Sequence, residues 1–286
     1  MSTSPEQIVR GVTKVVSLPA VVTKLGEAIQ DPRTSNLDIE NIVSEDSALA
    51  ARVLRIANSA MYSFPSKIDT INKAVAVIGL QQLNDIVLAC SVIKAFKGVS
   101  LDIIDMETFW KHSIAVGTTA RLLAVQRRES NIERFFTAGL LHDIGRLILF
   151  MEMPVKSREA IELSASGNCL LYQAEKDLLG FDHGMLGAML LKKWELPESL
   201  VMSTNYHHKP AVASKNQLEA SVIHVSDIIV HTVNFGSSAE KFVPLLNKKA
   251  LTAIGVGPDV LANVIEQLYI QYVDAVKFIL GDDESL

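Results

Sequence analysis

The residues of this chain that are best suited to chemistry are five histidines and two aspartates between residues 112 and 227. They are His112, His142, Asp143, His183, His207, His208 and Asp227. The most compact piece is the adjacent pair His142-Asp143, inside the otherwise apolar stretch Ala-Gly-Leu-Leu-His-Asp-Ile-Gly-Arg at residues 138–146. A histidine and a carboxylate are costly to bury unless something pairs with them. A metal ion suits both groups, so the set predicts a metal site.

The residue types indicate which chemistry such a site would perform. Imidazole and carboxylate together suit zinc, iron or manganese, and the absence of cysteine from the set argues against a closed structural zinc site. Consecutive residues on a helix diverge by roughly 100°, so His142 and Asp143 cannot both hold one ion. They can instead serve two ions, with the carboxylate as the bridge. Two ions about 3.5–4 Å apart can clamp a phosphoryl group and activate a water between them.

Each histidine also has an ordinary interpretation when it is considered alone. His207-His208 could be a solvated loop pair, and His112 could be a surface residue near a helix start. His224 and His231 fall outside the ligand set, and we interpret them as structural residues with hydrogen-bond partners. The adjacent pair at residues 142–143 resists that interpretation, because surface residues are seldom flanked by apolar residues on both sides.

The composition excludes several classes of protein. The 286 residues are 49% hydrophobic, which predicts a sizeable buried core and argues against disorder. The mean hydropathy is +0.25, and the sequence pI is about 5.8. With a net charge of −5, a globally basic nucleic-acid binder is disfavoured, although a local basic patch is not excluded.

The cysteines and the apolar runs indicate the compartment. Cys90 and Cys169 both have apolar neighbours, which fits buried thiols in a reducing cytosol better than a disulfide. The first residues lack the basic and apolar regions of a signal peptide. The most apolar runs, 74–80 and 86–93, are far shorter than a membrane span. We therefore expect a cytoplasmic protein that does not enter a membrane.

Helical periodicity dominates the chain, and alternation with a period of two is rare. Before residue 70, helices are predicted around 8–16, from Pro19 to Asp31, after Ser35 or Asn36, and from 45–47 onward, with a loop marked by residues 58–59 and 64–66. Further helices are predicted over 71–78 and 83–96, separated by a break at Gly79, and over 106–125, 135–151, 156–166, 172–179, 185–194, 200–207, 217–233 and 258–280. The residues Gly-Val-Ser at 98–100 predict a boundary, and every histidine lies beyond it. The predicted fold is all-α, in two helical lobes.

The ordered ligand set resembles the HD superfamily of metal-dependent phosphohydrolases, and particularly its HD-GYP branch. In chain order the matching residues are His112, the namesake pair His142-Asp143, His183, the pair His207-His208 and the closing Asp227. The resemblance implies that these residues are the ligands of a dinuclear centre, and that the set is complete.

The first half of the chain narrows the resemblance to the HDOD domain family. The matching features are Leu18-Pro19, Asp31-Pro32, Asp46, the run Leu-Ala-Ala-Arg-Val-Leu-Arg-Ile-Ala-Asn-Ser-Ala-Met-Tyr at 49–62, and residues 74–80. The resemblance implies an HDOD domain over 10–235, with an N-terminal lobe at 10–98 and an HD-like metal-binding lobe at 104–235. Residues 236–286 would form a C-terminal helical extension. This family has an HD-related helical fold and occurs in bacterial signalling proteins, and many members are taken to have lost the catalytic residues.

The chain departs from the HD-GYP pattern at three places. Arg146 stands where the resemblance implies a phosphate-contacting lysine, and its planar fork is not equivalent to a compact ammonium. The Gly-Tyr-Pro signature is replaced by Lys-Pro-Ala at 209–211. Thr108 stands where some members have a glutamate for a third metal, so two divalent ions are expected, iron or manganese first and zinc as the alternative. Asp143 and Arg146 are the expected catalytic residues.

Two functions follow from this combination. The first is a bacterial signalling protein of the HDOD type with an intact dinuclear site, which binds a partner protein or a nucleotide with little or no catalysis. The second is a phosphohydrolase or phosphodiesterase acting on nucleotides or cyclic dinucleotides. The partner would be a separate signalling protein or a phosphate-containing small molecule, and the oligomeric state stays open. The polar stripe of Arg52, Arg55 and Asn58 is interpreted as a solvated face, or alternatively as an anion or partner surface.

Overall fold

The computed structural model describes residues 4–13, 16–59, 66–99 and 101–281, and these residues contain helices and no strand. The helices are α1 (Pro5–Val12), α2 (Ala20–Gln30), α3 (Asn36–Ser44), α4 (Ser47–Ala57), α5 (Ile71–Ile78), α6 (Leu80–Ala95), α7 (Met106–Gln126), α8 (Glu133–Leu141), α9 (Ile144–Glu152), α10 (Pro154–Gly167), α11 (Leu171–Leu179), α12 (His183–Lys193), α13 (Glu198–Tyr206), α14 (Gln217–Val233), α15 (Lys248–Ile254) and α16 (Pro258–Leu280). A short 3-10 turn, Pro210–Val212, lies between α13 and α14. The all-α prediction is confirmed.

Parts of five sequence predictions fall outside the described residues. These parts are residues 60–65, in the predicted loop and at the end of the HDOD-like run, Ser100 at the predicted boundary, residues 14–15 at the end of the first predicted helix, and residues 282–286 at the end of the predicted C-terminal extension.

Side-chain caps set the starts of the short helices in the first lobe. Ser35, Asp46 and Thr70 each accept a hydrogen bond from the backbone N–H three residues later, and so satisfy a donor that the helix leaves open. Gly79 separates α5 from α6 with a φ of +96°, a conformation that glycine adopts without strain. The predicted break at this glycine is therefore confirmed.

Asn58 has a structural role that the solvated-stripe interpretation did not include. Its side-chain amide donates to the carbonyls of Leu54 and Ile68, and its Oδ1 accepts from the Ile68 N–H at 2.8 Å. These hydrogen bonds join the end of α4 to residues 66–70, the segment that leads into α5. The asparagine in the HDOD-like run therefore links two parts of the first lobe.

The prediction of one helix over 135–151 is wrong at the most important point. The structure has two helices there, α8 and α9, and the chain breaks at His142 and Asp143. Asp143 has φ of −101° and ψ of 10°, which lies outside the helical region. The break turns both side chains inward, whereas a continuous helix would direct them about 100° apart.

A continuous hydrophobic core joins the two lobes. It runs from Ile8 in α1 to Leu280 at the end of α16. Within it α7 packs against α8, α14 and α16, while α12 packs against α9 and α13. The helices that carry the predicted ligands are therefore direct neighbours, held together by apolar contacts.

The chain beyond α14 differs from a simple helical extension. An irregular segment at residues 234–247, called the cover segment below, follows α14 and precedes α15. α15 was not predicted from the sequence, whereas the bounds predicted for α14 and α16 are confirmed. Among the described residues, no helix is long and apolar enough to cross a membrane.

Candidate metal centre

The seven predicted ligands come from five helices or helix ends and meet in one place. His112 lies on α7, His142 and Asp143 at the break between α8 and α9, and Asp227 on α14. His183 is the first residue of α12, and His207 and His208 follow α13. Their ligand atoms form two groups, and the atoms of each group lie within 4.8 Å of one another.

The four-residue group consists of Asp143, His183, His207 and His208. Oδ1 of Asp143 lies 3.0 Å from His183 Nε2 and 3.6 Å from His207 Nε2. Nε2 of His208 lies 2.9 Å from His183 Nε2. Ligand atoms bonded to one ion at about 2.0–2.2 Å lie about 3–3.6 Å apart, so these separations suit a shared ion.

The three-residue group consists of His112, His142 and Asp227. Oδ1 of Asp227 lies 3.3 Å from His112 Nε2 and 3.6 Å from His142 Nε2. His142 Nε2 also lies 3.4 Å from Asp143 Oδ2, while the other oxygen of Asp143 belongs to the four-residue group. Asp143 therefore stands between the groups with one oxygen toward each, as the predicted bridging role requires.

The ligand atoms lack the hydrogen bonds that burial demands. The ring Nε2 atoms of His112 and His142 and the Oδ1 atoms of Asp143 and Asp227 face other ligand atoms of the centre at 3.0–3.6 Å, but none of these contacts has hydrogen-bond geometry. All four side chains are buried. A buried polar group without a partner costs about 1–3 kcal/mol, and most have one. Their convergence fits metal ions, which bind lone pairs of this kind.

Neighbouring groups orient the rings for this purpose. The Nδ1 atoms of His142 and His207 lie 2.6 and 2.7 Å from the carbonyl oxygens of Gly139 and Thr204. A carbonyl only accepts, so each Nδ1 carries a proton and the neutral ring keeps its Nε2 lone pair. Metal-bound histidines characteristically make such a bond through the other nitrogen.

Glu175 is a part of the centre that sequence reasoning missed. Its Oε2 accepts from both the backbone N–H and Nδ1 of His183, at 2.8 and 2.7 Å. Carboxylate–histidine–metal arrangements of this kind fix the ring and raise its basicity. The spacing of eight residues crosses the turn between α11 and α12, so no helical repeat in the sequence connects the two side chains.

The buried carboxylates of Asp143 and Asp227 are ionised and are balanced by neighbouring positive charge. Burial opposes ionisation of Asp143 and Asp227, but the cationic neighbours outweigh it and hold both pKa values well below the usual range. Burial likewise opposes protonation of His142 and His183, yet nearby carboxylates raise their pKa values to about 10 and about 9. Without metal, protons on these rings balance the carboxylates, and divalent cations can replace them.

Arg146, the predicted phosphate contact, is already engaged. Its Nε lies 3.2 Å from Asp143 Oδ2, and its Nη1 donates to the Ser238 carbonyl at 2.5 Å. The side chain is buried, which lowers its pKa, but several carboxylates, Asp143 with the largest effect, raise that pKa above its ordinary value. The guanidinium is thus beside the centre, shared between a predicted ligand and the cover segment.

The two histidines left out of the set have different surroundings. His224 Nδ1 donates to the His207 carbonyl and its Nε2 accepts from the Asn247 N–H, which agrees with the structural interpretation. His231 Nε2 lies 3.3 Å from Asp227 Oδ1, so the interpretation of His231 as lying outside the set is incomplete. The signal was its position four residues after Asp227, which puts both on one face of α14.

Two glycines let the ligand helices approach closely. A Cβ at Gly145 would overlap the carbonyl oxygen of His183, so α9 could not lie against the start of α12. A Cβ at Gly139 would lie 2.6 Å from Gly117 Cα, between α8 and α7. Real Cβ atoms essentially never make contacts this short, so glycine at both positions is needed to bring the two groups of ligands together.

The fold and the site together define an all-α protein of the HD type, and comparison with known proteins gives the family. The protein-family model described as the HDOD domain matches residues 15–210 of the sequence, which is more than half of the chain. The chain belongs to the HDOD domain family. The match ends before Asp227 and the cover segment, which the structure nevertheless places at the centre.

Solved structures share this fold. An HDOD domain protein of unknown function from Geobacter sulfurreducens is 25% identical, with a TM-score of 0.75 over 98% of this chain and 97% of that one. A candidate phosphohydrolase from Shewanella amazonensis SB2B is 24% identical, with a TM-score of 0.73 over 96% of this chain and 97% of that one.

One curated relative is an uncharacterized protein of Treponema pallidum (strain Nichols), 24% identical over 195 residues. The matched region is 68% of this chain but 37% of that protein, so the chain spans little more than a third of its relative's length.

Proposed function

We propose that this chain is a signalling protein whose centre binds two divalent metal ions, and that it binds a partner protein or a nucleotide with little or no catalysis. The observation that carries the metal proposal is the convergence of four buried ligand atoms that make no hydrogen bond of proper geometry among the described residues. Their division into two groups with Asp143 between them supports two ions.

The residues available to each ion follow from the two groups. Asp143, His183, His207 and His208 would hold one ion, and His112, His142 and Asp227 the other, with Asp143 shared. Nitrogen and oxygen ligands suit iron or manganese, with zinc as the alternative. Bound in such a centre, divalent ions supply Lewis acidity and lower the pKa of a bound water.

The enclosure of the centre supports little or no catalysis. His142, Asp143 and His183 are among the most buried side chains of the described chain. Arg146, which would have to bind a phosphate, instead contacts Asp143 and the Ser238 carbonyl. A phosphate ester would have to displace the second contact before it reached the guanidinium.

The alternative is a metal-dependent phosphohydrolase or phosphodiesterase acting on nucleotides or cyclic dinucleotides. The complete ligand set favours it, as does the structural likeness to the candidate phosphohydrolase from Shewanella amazonensis SB2B. In that case Arg146 would bind a phosphate oxygen in place of the Ser238 carbonyl that its Nη1 now contacts. Asp143 would position the reacting water.

Elemental analysis of the purified protein tests the metal proposal. We expect about two equivalents of iron, manganese or zinc, in keeping with a two-metal site, and loss of metal in Asp143→Asn. Asp85→Asn is the matched control, because Asp85 is also a buried aspartate but pairs with Asn131 away from the centre. Wild-type protein that takes up no metal when supplied with these ions would overturn the proposal.

Turnover then separates the two functions. The metal-loaded protein is assayed with bis-phosphate esters and cyclic dinucleotides, with Asp143→Asn as the blank. Turnover that disappears in this variant would establish the phosphohydrolase and refute the non-catalytic role. Binding of a nucleotide without turnover supports the signalling protein.

A further inference from the structure

We propose that the cover segment, residues 234–247, is a lid that gates the metal centre, and that metal and phosphate ligands exchange only when it opens. The proposal rests on the metal site proposed above and adds its regulation. It comes from a part of the chain beyond the HDOD match, which ends at residue 210.

The first part of the cover segment lies directly on the helices that carry ligands. Ser237 N–H donates to the Thr108 carbonyl on α7 at 3.1 Å. Gly236 lies so close to the backbone of His112 that a Cβ would overlap its nitrogen. The segment therefore rests on the helix turn that presents His112 to the three-residue group.

The middle of the segment occupies the guanidinium of Arg146. The Ser238 carbonyl accepts from Nη1 of Arg146, whose Nε faces Asp143. Carbonyl and phosphate oxygens are both acceptors, so the closed segment takes a donor that an incoming phosphate would use. Ser238 is fully buried, and its hydroxyl has no hydrogen-bond partner among the described residues. The residue whose carbonyl contacts the guanidinium therefore also carries an unused buried hydroxyl.

Two further anchors close the segment at its other end. The Glu240 carboxylate accepts from the Leu171 N–H at the start of α11, at 2.7 Å, and from two N–H groups of the segment itself. Asn247 N–H donates to His224 Nε2 at 3.0 Å. The segment is thus tied by hydrogen bonds to α7, α11 and α14 and by the stacking of Phe235 on Tyr272 of α16, while it contains no regular helix of its own.

The conformation and surface of the segment suit a part that opens. Ala239 has a φ of +70°, a left-handed conformation that a residue with a Cβ adopts only when its surroundings impose it. On the outer side Val243 and Leu246 are exposed, and Leu245 is 88% exposed, so these apolar residues add no core contact. The second half of the segment, residues 241–247, therefore has few buried contacts, and such stretches open at a lower free energy than the core.

Gly236→Ala is the variant that loosens the lid most directly. The new Cβ would meet the backbone of α7 at a left-handed φ of +68°. Gly255→Ala is the matched control, because Gly255 has a φ of +62°, but its Cβ would meet nothing closer than Arg127 Nη1 at 3.4 Å. Both changes strain the backbone, and the first also separates the segment from the centre.

Glu240→Ala is an independent loosening variant. It removes the carboxylate that ties the segment to α11 and touches no predicted ligand. Should Gly236→Ala fail to fold, this second variant carries the test.

The measurement is the rate at which zinc-loaded protein releases its metal to an excess of a chromogenic chelator. We expect both loosened variants to start with the wild-type zinc content and to release it at least about tenfold faster, which corresponds to about 1.4 kcal/mol. Gly255→Ala should release zinc at the wild-type rate. Hydrogen exchange at the Ser237 amide should quicken in the loosened variants and not in the control.

The outcomes separate the lid from the metal site. If hydrogen exchange at Ser237 were faster in the loosened variants but their zinc release rate equalled that of wild type, the gating proposal would be overturned. The proposal of a metal site would be unaffected by that result. If the wild type bound none of zinc, iron and manganese, the proposed function would fail, and modification of His112 by diethyl pyrocarbonate would test the lid. Equal modification in wild type and both loosened variants would then overturn the lid as well.

Discussion

Removing the negative charge of Glu175, which contacts the predicted ligand His183, tests whether this carboxylate supports metal binding by His183. Glu175 accepts two hydrogen bonds from His183 through a single oxygen, Oε2, and is itself buried. Glutamine has one amide oxygen that can accept both bonds, so Glu175→Gln removes the negative charge and preserves the shape. Glu175→Ala removes the charge and both hydrogen bonds.

The expected magnitude follows from these two steps. Outer-shell partners of metal-bound histidines are worth about 10–100-fold in metal affinity. A hydrogen bond to a charged acceptor is about twice as strong as a neutral one, so Glu175→Gln should lie near the lower end of that range and Glu175→Ala near the upper end. In free energy the two losses are about 1.4 and about 2.7 kcal/mol. Both variants should weaken the binding of the ion at the four-residue group, because His183 belongs to that group.

Titration of metal-free protein with zinc, followed calorimetrically, resolves the two sites. Glu219→Gln is the control, since Glu219 is a buried glutamate that pairs with Arg134 rather than with a ligand. One site should weaken in the Glu175 variants, and neither site in the control. Equal zinc affinity in wild type and Glu175→Ala would refute the reasoning that Glu175 supports a metal-bound His183.

Two other predictions test residues at and away from the centre. His231→Ala should weaken zinc binding at the three-residue group by about tenfold, because the ring contacts Asp227, and leave the other site unchanged in the same titration. Burial raises the pKa of the Asp85 carboxyl from its ordinary 3.8 to about 6. Because the folded state therefore keeps this proton to higher pH than the unfolded state, the protein loses stability as the pH rises from 3.8 to about 6. Asp85→Asn should remove this part of the pH dependence and raise the unfolding free energy at pH 7, on the order of 1–3 kcal/mol, in urea titrations between pH 4 and 7. A variant no more stable than wild type at pH 7 would contradict the burial argument.

The parts of the fold that depend on local signals could be predicted from the sequence. The break at Gly79 follows from the needs of glycine, and the caps at Ser35 and Asp46 follow from side-chain chemistry close in the chain. The break at His142 and Asp143 could not be predicted in this way, because apolar residues on both sides continue the helical period. Its cause is tertiary, since the close approach of α9 to α12 places the chain there.

The same distinction applies to the site. The seven ligand positions could be predicted by resemblance, and the structure brings those side chains together in two groups. Glu175 could not be predicted, because its partner His183 lies across a turn. Arg146 was predicted to face a phosphate, but its contact with Ser238 depends on a segment 92 residues further along the chain. Contacts of that separation leave no periodic pattern in a single sequence.

The centre's chemistry therefore depends on residues outside the ligand set. The ligand set alone would serve either an enzyme or a binding protein, because both need the same lone pairs around the ions. The two functions differ in whether a phosphate can reach Arg146, and in this structure the Ser238 carbonyl accepts a hydrogen bond from its guanidinium. A signal that opened the cover segment would change access to the centre without changing any ligand. Regulation of an HD-type site can thus reside in a segment beyond the family match, where the ligand pattern gives no information about it.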